Sequence, residues 1–130
     1  MKAASDDRSI RVLVVDDSAP VRHRLMAALD ERDRVEVEGA ATCHDALAHL
    51  AGEHFDAIII DLSLPDGSGL DVLRAAKKND PRCLAVILTS MASQEAANAC
   101  RALGANHFFD KTTHFDEAIA IVSSAPARGA

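Results

Sequence analysis

Five short apolar runs punctuate the chain, and each is followed by a stretch with helical spacing. The first run is Ile10–Val15, the third is Ala57–Ile60 and the fourth is Leu84–Leu88. Continuous runs of four to eight residues rich in Val and Ile read as strands buried on both faces. Val35, Val37 and Gly39 instead alternate with Glu36 and Glu38, which predicts a half-exposed strand at a sheet edge. Asn106–Asp110 completes the set.

The intervening segments predict helices. Ser18 caps the first and Pro20 suits its first turn; Val21, Leu25, Ala28 and Leu29 recur on one face as far as Glu31. Thr42 caps the second, with Ala46, Leu47 and Leu50 inward and Gly52 at its end. Residues 63–69, Ser-Leu-Pro-Asp-Gly-Ser-Gly, read as a loop of turn formers. The third helix follows with Leu70, Val72, Leu73 and Ala76 inward and Lys77-Lys78 favourable at its C-terminus. Ser93 caps the fourth, striped by Ala96, Ala99, Cys100 and Leu103 and stopped at Gly104. Phe115, Ala118, Ile119 and Val122 mark the fifth. Five βα units with right-handed crossovers imply a doubly wound, three-layer α/β sandwich. The domain is expected over residues 10–123, with flexible tails at 1–9 and 124–130.

Composition narrows the class. At 130 residues and 48% hydrophobic, the chain suits one globular domain with a real core. No apolar run approaches a membrane-spanning length, and Met1–Ser9 lacks a signal-peptide core, so a cytoplasmic location and no membrane insertion are expected. The net charge of -6, the lack of a basic run and the absence of Trp and Tyr argue against direct nucleic-acid binding. Cys43, Cys83 and Cys100 are widely spaced and read as small buried residues, and the six histidines show no ligand spacing.

What changes the picture is what stands where the runs end. Asp16-Asp17 follow the first strand, Asp61 the third, Thr89-Ser90 the fourth and Lys111 the fifth. In a parallel sheet all carboxyl ends share one edge, where ligands collect. Singly, each residue has an ordinary reading: a cap, a loop acid, a surface lysine. Jointly, three carboxylates, a hydroxyl and an ammonium converge. Clustered carboxylates repel unless a cation neutralises them. An oxygen-only set with few ligands favours Mg²⁺, with Mn²⁺ as a substitute, held by Asp17 and Asp61 with Asp16 directly or through water. Asp61 then serves as a nucleophile for a phosphoryl group, Lys111 stabilises one phosphoryl oxygen and Thr89 donates to another.

The segments Val14-Val15-Asp16-Asp17-Ser18, Asp61 through Gly69, Leu88-Thr89-Ser90 and Phe108-Phe109-Asp110-Lys111 carry a resemblance over residues 10–123. The chain resembles the receiver domain of two-component response regulators, particularly the stand-alone, chemotaxis-type receivers. The resemblance implies a flavodoxin-like sheet in the order 2-1-3-4-5. It implies that Asp61 is the phosphoacceptor for a sensor histidine kinase or phosphotransfer protein, and that the backbone carbonyl of Ser63 is the third protein ligand of the metal. It makes Thr89 the switch hydroxyl and Phe108 the rotating aromatic. It places Ser63 and Met91 beside the path of the water that hydrolyses the phosphoaspartate. A downstream protein would read the surface of the fourth helix, fifth strand and fifth helix, in a monomer or a phosphorylation-dependent dimer.

Two positions depart from the family pattern. Thr112, not Pro, follows Lys111, and a cis bond before a non-proline costs ~3 kcal/mol, so a trans Lys111–Thr112 peptide is expected. Phe108 lacks the hydroxyl of Tyr. Two other functions compete. An aspartyl-nucleophile phosphohydrolase resembling haloacid dehalogenases needs a second acid two residues after the nucleophile, where this chain has Ser63. A receiver-fold adaptor that is never phosphorylated would not need the complete acid set. No separate substrate turnover is expected.

Overall fold

The computed structural model describes residues 9–127. Its elements run β1 (Ile10–Val15), α1 (Ala19–Asp30), β2 (Val35–Ala40), α2 (Cys43–Gly52), β3 (Ala57–Ile60), β4 (Ser63–Leu64), β5 (Gly67–Ser68), α3 (Gly69–Asn79), β6 (Leu84–Thr89), α4 (Gln94–Ala102), β7 (His107–Asp110) and α5 (Phe115–Ser123). The main sheet has the order β2-β1-β3-β6-β7 and every pairing in it is parallel. Numbered by its five members alone, this is the expected 2-1-3-4-5.

Alternation along the strands splits the core between two faces. Leu13, Val15, Ile58, Ile60, Ala85 and Ile87 pack against α2, α3 and Cys100 of α4. Val12, Val14, Ala57, Ile59, Val86 and Leu88 pack against Leu25 and Leu29 of α1 and Ala118, Ile119 and Val122 of α5. All four residues of β3 are buried, as its unbroken apolar run requires. Burial of one such Ile is worth about 1.5–3 kcal/mol. The sheet is therefore a rigid floor, and only its edges are available for chemistry.

Serine and threonine start four of the five helices. Ser18, Thr42, Ser68 and Ser93 each accept a backbone N–H of their own first turn. Gly104 turns the chain out of α4 with φ 98°, a conformation that favours glycine. All three cysteines are buried. The Lys111–Thr112 peptide is trans, since no described peptide bond is cis.

Three local expectations differ from the structure. Residues 63–69 are not all loop, because β4 and β5 form a two-residue antiparallel ladder inside them. Leu47 points outward and is 37% exposed. The buried stripe of α4 is Ala97 and Cys100, while Ala99 is exposed. Of the expected tails at 1–9 and 124–130, residues 1–8 and 128–130 lie outside the described residues; Ala125, within the second, is buried against the α5 face of the core. Among the described residues no helix is long and apolar enough to cross a membrane.

Candidate functional site

The ladder runs one residue past three of the strands, and this fixes the site's backbone. Asp16 N donates to Ala40 O at 3.1 Å, Asp61 N to Val15 O at 2.9 Å and Lys111 N to Thr89 O at 3.1 Å. Asp16, Asp61 and Lys111 are thus each the first residue after a strand and remain tied to a neighbouring strand, while Thr89 is the last of β6. The side chains then stand up from the carboxyl edge of the sheet.

Asp61 lies at the centre. It is 4% exposed, and Asp16 beside it is 2% exposed. Burial at that level demands partners for a charged group. Asp61 Oδ1 accepts from the Thr89 hydroxyl at 2.9 Å and from Ser63 N at 3.2 Å; Oδ2 accepts from Lys111 Nζ at 2.8 Å. The same ammonium reaches Asp16 Oδ2 at 2.8 Å. Asp16 Oδ1 accepts from Ser18 N at 2.9 Å, and its carbonyl from Arg22 Nη1 at 2.9 Å. Asp17 is exposed. Burial pushes the Lys111 amine down, but its hydrogen bonds to Asp16 and Asp61 outweigh that and hold it above the usual lysine value. Lys111 therefore stays cationic at neutral pH.

Carboxylate oxygens of Asp16, Asp17 and Asp61 all lie within 4.8 Å of one another, the one such acid cluster among the described residues. An all-oxygen donor set with an open, exposed side fits a hard divalent cation that keeps some of its waters. Thr89 is fully buried, and its Oγ1 also accepts from Met91 N at 3.2 Å, which aims the hydroxyl at Asp61. Met91, two residues beyond Thr89, is 58% exposed. Phe108 is half-buried and packs on the α2–α3 face of the core. Ser63 is exposed at the head of β4.

Three residues not singled out from the sequence shape this edge. Arg22 braces Asp16 through its carbonyl. Gly69 lets the loop after Asp61 fold back: a Cβ there would strike the Asp61 carbonyl and lie 2.8 Å from Leu62 Cα. Asp66 accepts from Cys43 N at 2.7 Å and His44 N at 2.9 Å. Those two bonds, His44's first, hold its carboxyl below the ordinary value. A glycine closing a turn leaves a sequence signal; an acid within a turn-forming loop reads as a turn former and nothing more.

A family model described as the response regulator receiver domain matches residues 12–123. The chain belongs to that family. This receiver domain is 32% identical over 108 residues to the two-component response regulator PhoP of Pseudomonas aeruginosa, covering 83% of this chain and 48% of that protein. It is 33% identical over 112 residues to the transcriptional regulatory protein PhoP of Escherichia coli K12, covering 85% and 49%. The chain thus spans about half the length of the curated relatives it matches. Among solved structures, the receiver resembles the chemotaxis protein CheY4 of Vibrio cholerae (TM-score 0.80, 27% identity, 91% of this chain and 99% of that one). It also resembles a Burkholderia pseudomallei response regulator solved with a phosphorylated aspartic acid, calcium ion and citrate (TM-score 0.81, 26% identity, 89% and 68%).

Proposed function

We propose that this receiver accepts a phosphoryl group on Asp61 from a histidine kinase or phosphotransfer protein, in a Mg²⁺-dependent reaction, and passes the signal to a partner protein. It is the surroundings of Asp61 that support this. The carboxylate is buried, aimed at the carboxyl edge, and bonded at once to Lys111 and Thr89. In the transfer, one Asp61 oxygen attacks phosphorus. The bond from phosphorus to the donor's imidazole nitrogen breaks, its electron pair leaves with the imidazole, and the ring takes a proton from solvent. Lys111 and the Thr89 hydroxyl, both within 3 Å of an Asp61 oxygen, exchange those bonds for the new phosphoryl oxygens. Asp16, Asp17, Asp61 and the Ser63 carbonyl would hold the cation, which when bound screens carboxylate repulsion and the charge of the incoming donor.

Thr89 and Phe108 link this event to a surface. Redirecting the Thr89 hydroxyl draws on the loop that starts at Met91, whose amide it now accepts. Phe108 sits two residues before Asp110, which pairs with Thr89 in the sheet register. The readout surface is α4, β7 and α5, where the rings of His107, Phe109 and His114 stack at 5.6 and 5.2 Å. Ser63 and Met91 flank the approach to Asp61 and set the lifetime of the phosphorylated state. A small acyl phosphate with Mg²⁺ should add one phosphate to the wild type and none to Asp61→Asn, read by intact mass. Undiminished labelling of the variant, mapped to another residue, would overturn the proposal.

A further inference from the structure

We propose, on the reading of Asp61 given above, that Asp66 is a positioning residue for the cation site: its grip on α2 fixes the turn bearing Ser63 relative to Asp16. The segment from Asp61 to Ser68 must hold Ser63 still, yet it projects beyond the end of β3. It is secured at three levels. At its base, Gly69 N donates to Leu62 O at 2.9 Å, a closure that only a residue without Cβ permits. In its middle, Ser63 pairs with Ser68 and Leu64 with Gly67, and Leu64 is buried in the core. At its tip, the exposed Asp66 spreads its two oxygens over the first two amides of α2, Cys43 N at 2.7 Å and His44 N at 2.9 Å.

That tip contact is more than helix capping. Thr42 Oγ1 already accepts from Asp45 N at 3.0 Å, so α2 carries a cap of its own. Asp66 instead takes two donors that the helix leaves without internal partners, at the end where the dipole favours an anion. Only Ala41 and Thr42 separate the start of α2 from Ala40, whose carbonyl accepts from Asp16 N. A closed circuit results: Asp61, Ser63, Asp66, the start of α2, Ala40 and Asp16. Asp66 thus adds a polar tie between the two halves of the carboxylate cluster to those made by the sheet, by Lys111 and by the packing of Leu64 and Cys43 in one core cluster. Gly67 seats against Cys43 at the same point, a Cβ there lying 3.3 Å from Cys43 Sγ, so the tip and the helix interlock.

The test measures Mg²⁺ affinity by titration calorimetry, amide exchange at Cys43 and His44, and the phosphorylation rate at saturating Mg²⁺. Asp66→Ala should weaken Mg²⁺ binding about tenfold, the order expected when a partner that orients a ligand is lost. It should also speed exchange at both amides while leaving the rate at saturating Mg²⁺ near wild type. Asp66→Asn, which keeps one acceptor oxygen, should fall between. Thr42→Ala damages the same helix end without freeing the hairpin, and Asp71→Asn removes an equal charge nearby; both should keep Mg²⁺ affinity close to wild type. Equal weakening in Thr42→Ala or Asp71→Asn, or unchanged affinity in both Asp66 variants, would overturn the inference alone. A wild type that takes neither Mg²⁺ nor phosphate would overturn the proposed function and this inference with it.

Discussion

Asp56, at the amino end of the sheet, is 1% exposed, as buried as Asp16 and Asp61 at the carboxyl end. Its surroundings are nonetheless complete. Asp56 Oδ2 accepts from Arg11 N at 2.9 Å and Oδ1 faces His54 Nε2 at 3.0 Å. The Arg11 guanidinium meets Glu53 at 2.5 Å and lies over the Phe55 ring at 5.0 Å. Lys77 ties Cys83 O at 2.7 Å to Asn106 Oδ1 at 2.9 Å, and that oxygen also accepts from Ala85 N at 2.9 Å. At the carboxyl end three carboxylates crowd together and Lys111 bridges two of them. Equal burial therefore serves two purposes. A polar network closed on itself holds the fold together; one left short of positive charge is suited to a cation from solution.

The comparison is broken most easily at Lys111. Lys111→Met should lower the phosphorylation rate about 100-fold or more at saturating Mg²⁺, the range for losing one preorganised electrostatic group. A time course within a few-fold of wild type would mean the ammonium is only structural. Next comes Met91. Glutamate there supplies an oxygen to orient the attacking water, and Met91→Glu should shorten the phosphoprotein's lifetime about 10–100-fold. Unchanged decay would free this position from control of hydrolysis.

The amino end should answer in stability instead. Asp56→Ala strips the Arg11 amide of its acceptor and should cost about 1–3 kcal/mol in urea unfolding. The phosphorylation rate of the folded variant should stay at the wild-type value, and a parallel loss of rate would erase the distinction between the two ends. The smallest effect concerns Glu53, whose carboxyl is held below its ordinary value by hydrogen bonds from Arg11 and then His49. A lowered folded-state pKa gives stability that is present above the unfolded value and lost as pH falls through the folded one. The stability gap between wild type and Glu53→Gln should therefore close on acidification; a gap independent of pH would show that the pair adds nothing to folding.

Much of this was legible from pattern. Buried parallel strands must be apolar on both faces, so β1, β3 and β6 stood out as runs, and the acidic or hydroxyl residues that ended them fell on one edge. Side-chain direction was harder to read. In α4 the stripe is written almost wholly in alanine, which is at home inside or outside, so Ala97 and Ala99 could not be told apart. Leu47 looked like core by hydrophobicity, but it lines a shallow groove between α2 and α3 with Leu50, Ala51 and Ala75. The β4–β5 ladder is two residues long, too short for any period to emerge. The grip of Asp66 on α2 was invisible because its partners are backbone amides 22 and 23 residues away, which no side-chain motif encodes.

The unbalanced charge at the carboxyl end is tested most directly by thermal unfolding of wild type and Asp17→Asn at neutral pH, with and without millimolar Mg²⁺. A cation that binds only the folded state stabilises it by mass action. The wild-type melting temperature should rise with Mg²⁺, while Asp17→Asn, relieved of one carboxylate, should melt higher without metal and gain less from it. A wild type unmoved by Mg²⁺, or an Asp17→Asn that responds as strongly, would contradict the account.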